Sequence, residues 1–77
     1  MTQVRYFAAA EEFAGRATEQ RDDATLGALR RTLAADYPAL GVILPRCAVL
    51  VDGRRSDDET ALGAASVVDV LPPFAGG

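Results

Sequence analysis

Leu26, Leu29, Leu33 and Tyr37 recur at three- and four-residue intervals, and Pro38 follows directly. That spacing predicts one amphipathic helix over residues 26–36, with its apolar stripe facing a core and Arg30, Arg31 and Asp36 on the solvated flank. Thr25 is placed to cap the N-terminus, Asp22 and Asp23 lie near the positive end of the dipole, and Pro38 pushes the residue before it out of the helical region. The material available to cover this stripe is scarce. Apolar residues make up 49% of the 77 positions, but 15 of them are Ala, which leaves 23 able to build a substantial core. A core of that size supports a single domain with a thin stability margin, so a compact topology with locally consistent elements is expected.

The cover comes from strands. Residues 3–7 alternate, with Val4 and Tyr6 on one face and Gln3, Arg5 and Phe7 on the other. The first set reads as core, which leaves Phe7 as an aromatic on a polar face. Residues 8–14, alanines around Glu11, Glu12 and Phe13, predict a short helical turn closed by Gly15. Residues 17–22 read as a polar strand returning against the first. Beyond the main helix, Gly41 and Pro45 punctuate an irregular link in which Leu40, Val42 and Leu44 are expected to cover one end of the core. Residues 47–51 form an apolar strand, Asp52-Gly53 a hairpin turn, and Arg54-Arg55 a short return. A polar loop over residues 56–59 and a single turn at Ala61-Leu62 lead to the last strand, 67–71. There Val68 and Val70 point inward, while Val67, Asp69 and Leu71 share the other face. Pro72 and Pro73 cannot donate to a ladder and end it. The order predicts an α+β fold of the β-grasp (ubiquitin-like) type, a mixed sheet packed on one main helix. It forms a single domain over residues 1–71, followed by an extended tail over 72–77.

Composition excludes several functions. There is no His, so imidazole acid–base chemistry and His-ligated metal are ruled out. One cysteine, Cys47, allows neither an internal disulfide nor a multi-thiolate zinc site. It opens an apolar strand and reads as a buried structural thiol. No apolar run approaches the ~20 residues of a membrane span, and Met1-Thr2-Gln3-Val4-Arg5 lacks the apolar stretch of a signal peptide. A net charge of −3 argues against nucleic acid as partner. All eight basic residues are Arg. Asp57-Asp58-Glu59 lacks the ligand spacing of a calcium loop and reads as a solvated turn, with Arg54-Arg55 making weak surface ion pairs beside it. The expectation is a cytoplasmic domain with no metal and no bound cofactor, and no catalysis of its own.

Chemistry concentrates in Pro72-Pro73-Phe74-Ala75-Gly76-Gly77. The diproline favours an extended geometry, so the tail loses less entropy when threaded into a partner. Six residues beyond Leu71 reach about 20 Å when extended, enough to enter a deep active site. Gly76 and Gly77 carry no side chains, so a narrow channel admits them. The α-carboxylate of Gly77, with an ordinary pKa of about 3.5, is ionised and a poor electrophile until it is activated, for instance as an acyl-adenylate made from ATP.

The chain resembles the small sulfur-carrier subunit of molybdopterin synthase (MoaD) and its thiamine-pathway relative (ThiS). The resemblance covers its whole length. It is carried by Val4-Arg5-Tyr6-Phe7-Ala8, Glu12-Phe13-Ala14-Gly15, Thr25-Leu26-Gly27-Ala28-Leu29-Arg30, Val49-Leu50-Val51-Asp52-Gly53, and above all Val68-Asp69-Val70-Leu71-Pro72-Pro73-Phe74-Ala75-Gly76-Gly77. The Pro-Pro-x-x-Gly-Gly ending is closer to the molybdopterin branch. Where family members commonly carry a Gly-Asp-Glu/Val turn before the last strand, this chain reads Gly63-Ala64-Ala65-Ser66-Val67.

The resemblance implies a carrier charged by others. A MoeB/ThiF-like activating enzyme uses ATP to adenylate Gly77, and a sulfur donor converts the product to a thiocarboxylate. Residues Pro72 to Gly76 then insert the tail into a MoaE-like large subunit of molybdopterin synthase, where the sulfur helps build molybdopterin. With the first and last strands as neighbours, Phe7, Leu71 and Phe74 would form an apolar partner-binding patch beside the tail. Three alternatives stand beside this reading: sulfur delivery to cysteine, thiamine or a secondary metabolite; a protein modifier joined through Gly77 to lysines; and a ubiquitin-like binding module with a silent tail.

Overall fold

Alternation along the first strand sorts its side chains as parity requires. In β1 (Thr2–Tyr6), Thr2, Val4 and Tyr6 are buried, while Gln3 and Arg5 face out. The computed structural model describes residues 1–73, and β1 lies near the middle of its five-stranded sheet. Short helix α1 (Ala9–Ala14) closes at Gly15, whose φ of 77° supplies the left-handed cap. It is followed by β2 (Thr18–Arg21), antiparallel to β1. The main helix α2 (Leu26–Asp36) begins at Thr25, whose hydroxyl accepts the Ala28 N–H at 3.2 Å. Leu26, Leu29 and Leu33 are fully buried, each worth about 1.5–3 kcal/mol relative to exposure.

The remaining strands complete the sheet in the order β2-β1-β5-β3-β4. They are β3 (Ala48–Val51), β4 (Arg54–Arg55) and β5 (Val67–Leu71). β5 runs parallel to β1 and antiparallel to β3, so the sheet is mixed. Asp52 and Gly53 both have positive φ, 50° and 83°, the geometry that a two-residue hairpin of this twist demands. Val49, Val51, Val68 and Val70 join Val4 and Tyr6 in facing the helices, and all three helices lie over this one side. This is the β-grasp arrangement. Among the described residues no helix lies on the other side of the sheet.

Five local readings are corrected. The link after Pro38 is helical: α3 (Pro38–Ile43) runs into a 3₁₀ turn at Leu44–Arg46. Pro38 does break α2, leaving Tyr37 at φ −128°, but as the first residue of α3 it lacks only an N–H that the helix would not use. Leu40 and Leu44 are buried there as expected, whereas Val42 is 78% exposed because the six-residue helix turns it away from the sheet. Ala61-Leu62 forms no turn; Ala61 makes a bridge with Thr25, and the Leu62 N–H donates to Ala24 O at 2.9 Å. Arg30 is not a free solvated flank, since its guanidinium lies 2.9 Å from Asp58. The expected pairing of Arg54-Arg55 with neighbouring acids is absent among the described residues. Asp58 has turned to Arg30, and Asp57 accepts the Glu59 N–H and the Thr60 hydroxyl.

The turn that departs from the family pattern closes by other means. Ser66 accepts the Gly63 N–H on its hydroxyl at 3.0 Å and donates its own N–H to Gly63 O at 3.1 Å. Asp52 then brackets Val67, donating its N–H to Val67 O and accepting the Val67 N–H on its carboxylate.

Candidate functional site

β1 and β5 stop together, and the reason is covalent. The Phe7 N–H donates to Val70 O at 3.1 Å, which is half of a Phe7–Leu71 parallel pair. The other half would be an N–H from residue 72 to Phe7 O. Residue 72 is Pro72, which has none. Phe7 O instead accepts the Ala10 N–H at 3.0 Å, closing a tight turn. Ala8 occupies that turn at φ 51°, ψ −124°, a conformation usually left to glycine. β1 accordingly ends at Tyr6, one residue before the expected Phe7.

Pro72 is buried and Pro73 exposed. Phe74, Ala75, Gly76 and Gly77 lie outside the described residues, and so do the roles the sequence assigns to them. Of the expected patch, Phe7 is 39% exposed and Leu71 half-buried. Parity and register put both on the open face of the sheet, where Ala48 is paired with Leu71.

One row further along that face, Arg5 pairs with Asp69 across the parallel register. Its Nε and Nη2 donate to Oδ1 and Oδ2 of Asp69 at 2.6 and 2.8 Å, a two-pronged contact. The same guanidinium lies 5.8 Å from the centre of the Phe7 ring, within cation–π range. Thr18 stands beside Arg5, and Leu50 beside Asp69 with Arg55 opposite it. The sequence reading noted Arg5 and Asp69 only as markers of the polar side. Opposite charges at matching parity in the first and last strands were the signal that they meet.

The core side carries a second polar cluster, also missed. Glu19 on β2 accepts the hydroxyls of both Tyr6 and Tyr37, the latter at 2.9 Å, and Arg21 Nε lies 3.1 Å from its other oxygen. Burial alone pushes the Glu19 carboxyl up, but the hydrogen bonds from Tyr6, Tyr37 and Arg21 outweigh it and hold it below its ordinary value. Arg21 continues to Asp36 at 2.7 Å, tying the sheet edge to the end of α2. This cluster has no free nucleophile and reads as a clasp. Cys47 is buried, and burial pushes its thiol pKa up even against the opposing pull of Arg30. It is therefore a poor nucleophile. A groove of about 510 Å³ on the helical side, lined by Arg30, Arg31, Ala34, Gly41, Leu44, Pro45 and Asp58, contains no acid–base pair beyond the Arg30–Asp58 contact. Among the described residues no group of three metal-ligating side chains is assembled, and no helix is long and apolar enough to cross a membrane.

Comparison with known proteins locates this architecture. The model of the ThiS family matches residues 4–77. Small archaeal modifier protein 3 of Haloferax volcanii is 35% identical, with 97% of this chain and 97% of that protein covered. The crystal structure of SAMP1 from Haloferax volcanii superposes with a TM-score of 0.81 at 28% identity, covering 99% and 98% of the two chains. A complex of subunits 1 and 2 of molybdopterin-converting factor from Helicobacter pylori contains a chain that superposes at 0.72, 25% identical, over 99% and 97%.

Proposed function

This chain belongs to the ThiS family, and from that premise we propose that it is a sulfur carrier charged at Gly77 and serving as the small subunit of a molybdopterin synthase-type complex. In this reading the Gly77 carboxylate attacks the α-phosphate of ATP on a MoeB/ThiF-like enzyme, forming the acyl-adenylate and releasing pyrophosphate. A hydrosulfide equivalent then displaces AMP, leaving a thiocarboxylate. The tail from Pro73 onward enters a MoaE-like subunit, and the sulfur passes to the pterin precursor. The chain's own contribution is to hold and present that tail. It has no His or Lys to act as catalyst, and among the described residues Cys47 is buried and the hydroxyls of Tyr6 and Tyr37 are held by Glu19.

The carrying observation is where the tail begins. Pro72 is buried against the domain and ends the central ladder, so the tail leaves from the middle of the sheet beside exposed Phe7 and half-buried Leu71. A partner that grips the open face thereby receives the tail at a fixed point. The subunit complex formed by the Helicobacter pylori relative supports this partner class.

A second reading has its own support: the relatives from Haloferax volcanii are called modifier proteins. There a lysine ε-amine of a target, rather than sulfide, would displace AMP and form an isopeptide at Gly77. Intact-mass measurement on protein isolated from its native host separates the two. Replacement of one terminal oxygen by sulfur supports the carrier, and a ladder of lysine-linked conjugates supports the modifier. An unmodified carboxylate under all conditions, with full function after deletion of Gly76-Gly77, would leave neither.

A further inference from the structure

The groove of about 510 Å³ on the helical side falls in the size range of ligand pockets, and the charging chemistry leaves it unused. α2 supplies one wall through Arg30, Arg31 and Ala34, and the turn at residues 44–46 supplies the other through Leu44 and Pro45. In a chain of net charge −3, this groove gathers two guanidiniums against one acid, Asp58. Asp58 satisfies Arg30 incompletely. Its Oδ1 lies 2.9 Å from Arg30 Nε but off the N–H direction, and that nitrogen is enclosed without a hydrogen bond. Arg31 is exposed, and it makes no ion pair among the described residues. An apolar floor beside a positive wall suits an occupant that carries an apolar group and an anionic end.

The chain's own end has that chemistry, and the strand register brings it alongside. Ala48 is paired with Leu71 in the antiparallel ladder, so the register continued by one residue sets Cys47 opposite Pro72. Neighbouring strands lie about 4.8 Å apart, and Pro45 is two residues, at most about 7 Å, from Cys47. The groove wall therefore begins within about 12 Å of Pro72. Parity points the same way. Val70 and Pro72 are buried while Leu71 is half-buried and Pro73 exposed, so an extended continuation turns residue 74 to the helical side.

We infer that in the uncharged chain this groove is the resting site of residues 74–77, with Phe74 against Ala34, Leu44 and Pro45 and the Gly77 carboxylate on Arg31 and the remaining N–H groups of Arg30. The inference rests on the reading of Gly77 as a free carboxylate awaiting charging. Four residues beyond Pro73 reach about 14 Å when extended, enough to lie along the groove. Arg30 stands one helical turn, about 5.4 Å, from Ala34, a span that Ala75-Gly76 bridges. An exposed carboxylate–guanidinium pair is weak, so the tail yields to an enzyme that takes it up. The fraction at rest lowers the apparent affinity in proportion.

The test uses the full-length, uncharged protein at neutral pH and low salt. Nuclear Overhauser spectra are expected to connect the Phe74 ring, identified by its loss in Phe74→Ala, with the methyl groups of Ala34 and Leu44. Arg31→Glu is expected to weaken those contacts at least about threefold, and Arg31→Lys to keep them. With the adenylating enzyme of the same host, Arg31→Glu is expected to lower the carrier's KM in ATP–pyrophosphate exchange about two- to fivefold, as release from a resting contact requires. Ring contacts with Phe7 or Leu71, or with nothing beyond the tail, overturn the inference. Absent ring contacts together with a raised KM for Arg31→Glu overturn it in favour of a groove that the enzyme itself fills. Thermal unfolding separates a lost contact from a lost fold in each variant. The Overhauser contacts need neither ATP nor enzyme, so a wild type that fails to support exchange refutes the charging step alone, a result distinct from any of these.

Discussion

Gly27 and Asp58 lie so close that a Cβ built on Gly27 would sit 2.8 Å from the Asp58 Cβ and 3.1 Å from its carbonyl oxygen. That oxygen accepts the Gly27 N–H at 2.9 Å. The loop after β4 is therefore seated on the first turn of α2 through a position with no side chain. Helix propensity alone would make Gly27→Ala stabilising by about 1 kcal/mol. The contact reverses the sign: the substitution is expected to destabilise by about 1–3 kcal/mol, as overpacking does. Urea unfolding measures it, and a raised midpoint would show that the loop yields freely.

Glu19 gives stability a pH dependence with a definite sign. Its carboxyl titrates below its ordinary value in the folded chain. The clasp's contribution is thus complete above the unfolded carboxylate pKa and is lost as pH falls through the lower folded value. At the alkaline end burial first, and then Glu19, raise the Tyr6 hydroxyl above its ordinary value of 10.0. That contribution is present below the unfolded tyrosine pKa and fades as pH rises through the folded one. Glu19→Gln is expected to cost about 1.5–3 kcal/mol at neutral pH, the range for a charge-assisted bond. It should flatten the acid limb of a stability–pH profile, and an unchanged acid limb would remove Glu19 from the account.

Ala8 carries backbone strain that its side chain makes worse. At φ 51° and ψ −124° a Cβ is unfavourable, and the residue is exposed, so nothing is lost by removing it. Ala8→Gly is expected to stabilise by about 0.5–1 kcal/mol, strain relief exceeding the extra entropy of an unfolded glycine. Chemical denaturation at neutral pH reads this as a higher midpoint.

Phe7→Ala should separate docking from folding. The ring is 39% exposed and is held on its face by Arg5. Loss of stability is expected to stay within about 1 kcal/mol, as for a surface position. Affinity for the adenylating enzyme is expected to fall at least about tenfold, as for an aromatic anchor. Equal affinity with a large drop in unfolding free energy would make Phe7 a core residue.

What could be seen in the chain beforehand follows from how local each signal is. The stripe of α2, the Thr25 cap, the Asp52-Gly53 hairpin and the inward parity of Val68 and Val70 depend on near neighbours, and they stand where expected. α3 escaped because Pro38, Gly41 and Pro45 read as breakers. Yet Pro38 opens the helix, and Gly41 lets it approach α2, where a Cβ would meet the Ala34 Cβ at 3.0 Å. The Glu19 clasp draws on β1, β2 and the end of α2, and no local pattern reports such a meeting. Arg5 and Asp69 are 64 residues apart, so their contact becomes readable only once the first and last strands are known to be partners.

That partnership has a bearing on how the protein is made. The strand completed last, β5, is the one that separates β1 from β3, so a nascent chain has no continuous sheet until residue 71 is free to insert. Closure must await every residue between β1 and β5, a long loop to close. A ribosome stalled early would release something unable to shelter Leu26 or Val4, and hence a ready target for proteolysis. Synthesis through β5 thereby becomes the condition for a stable body.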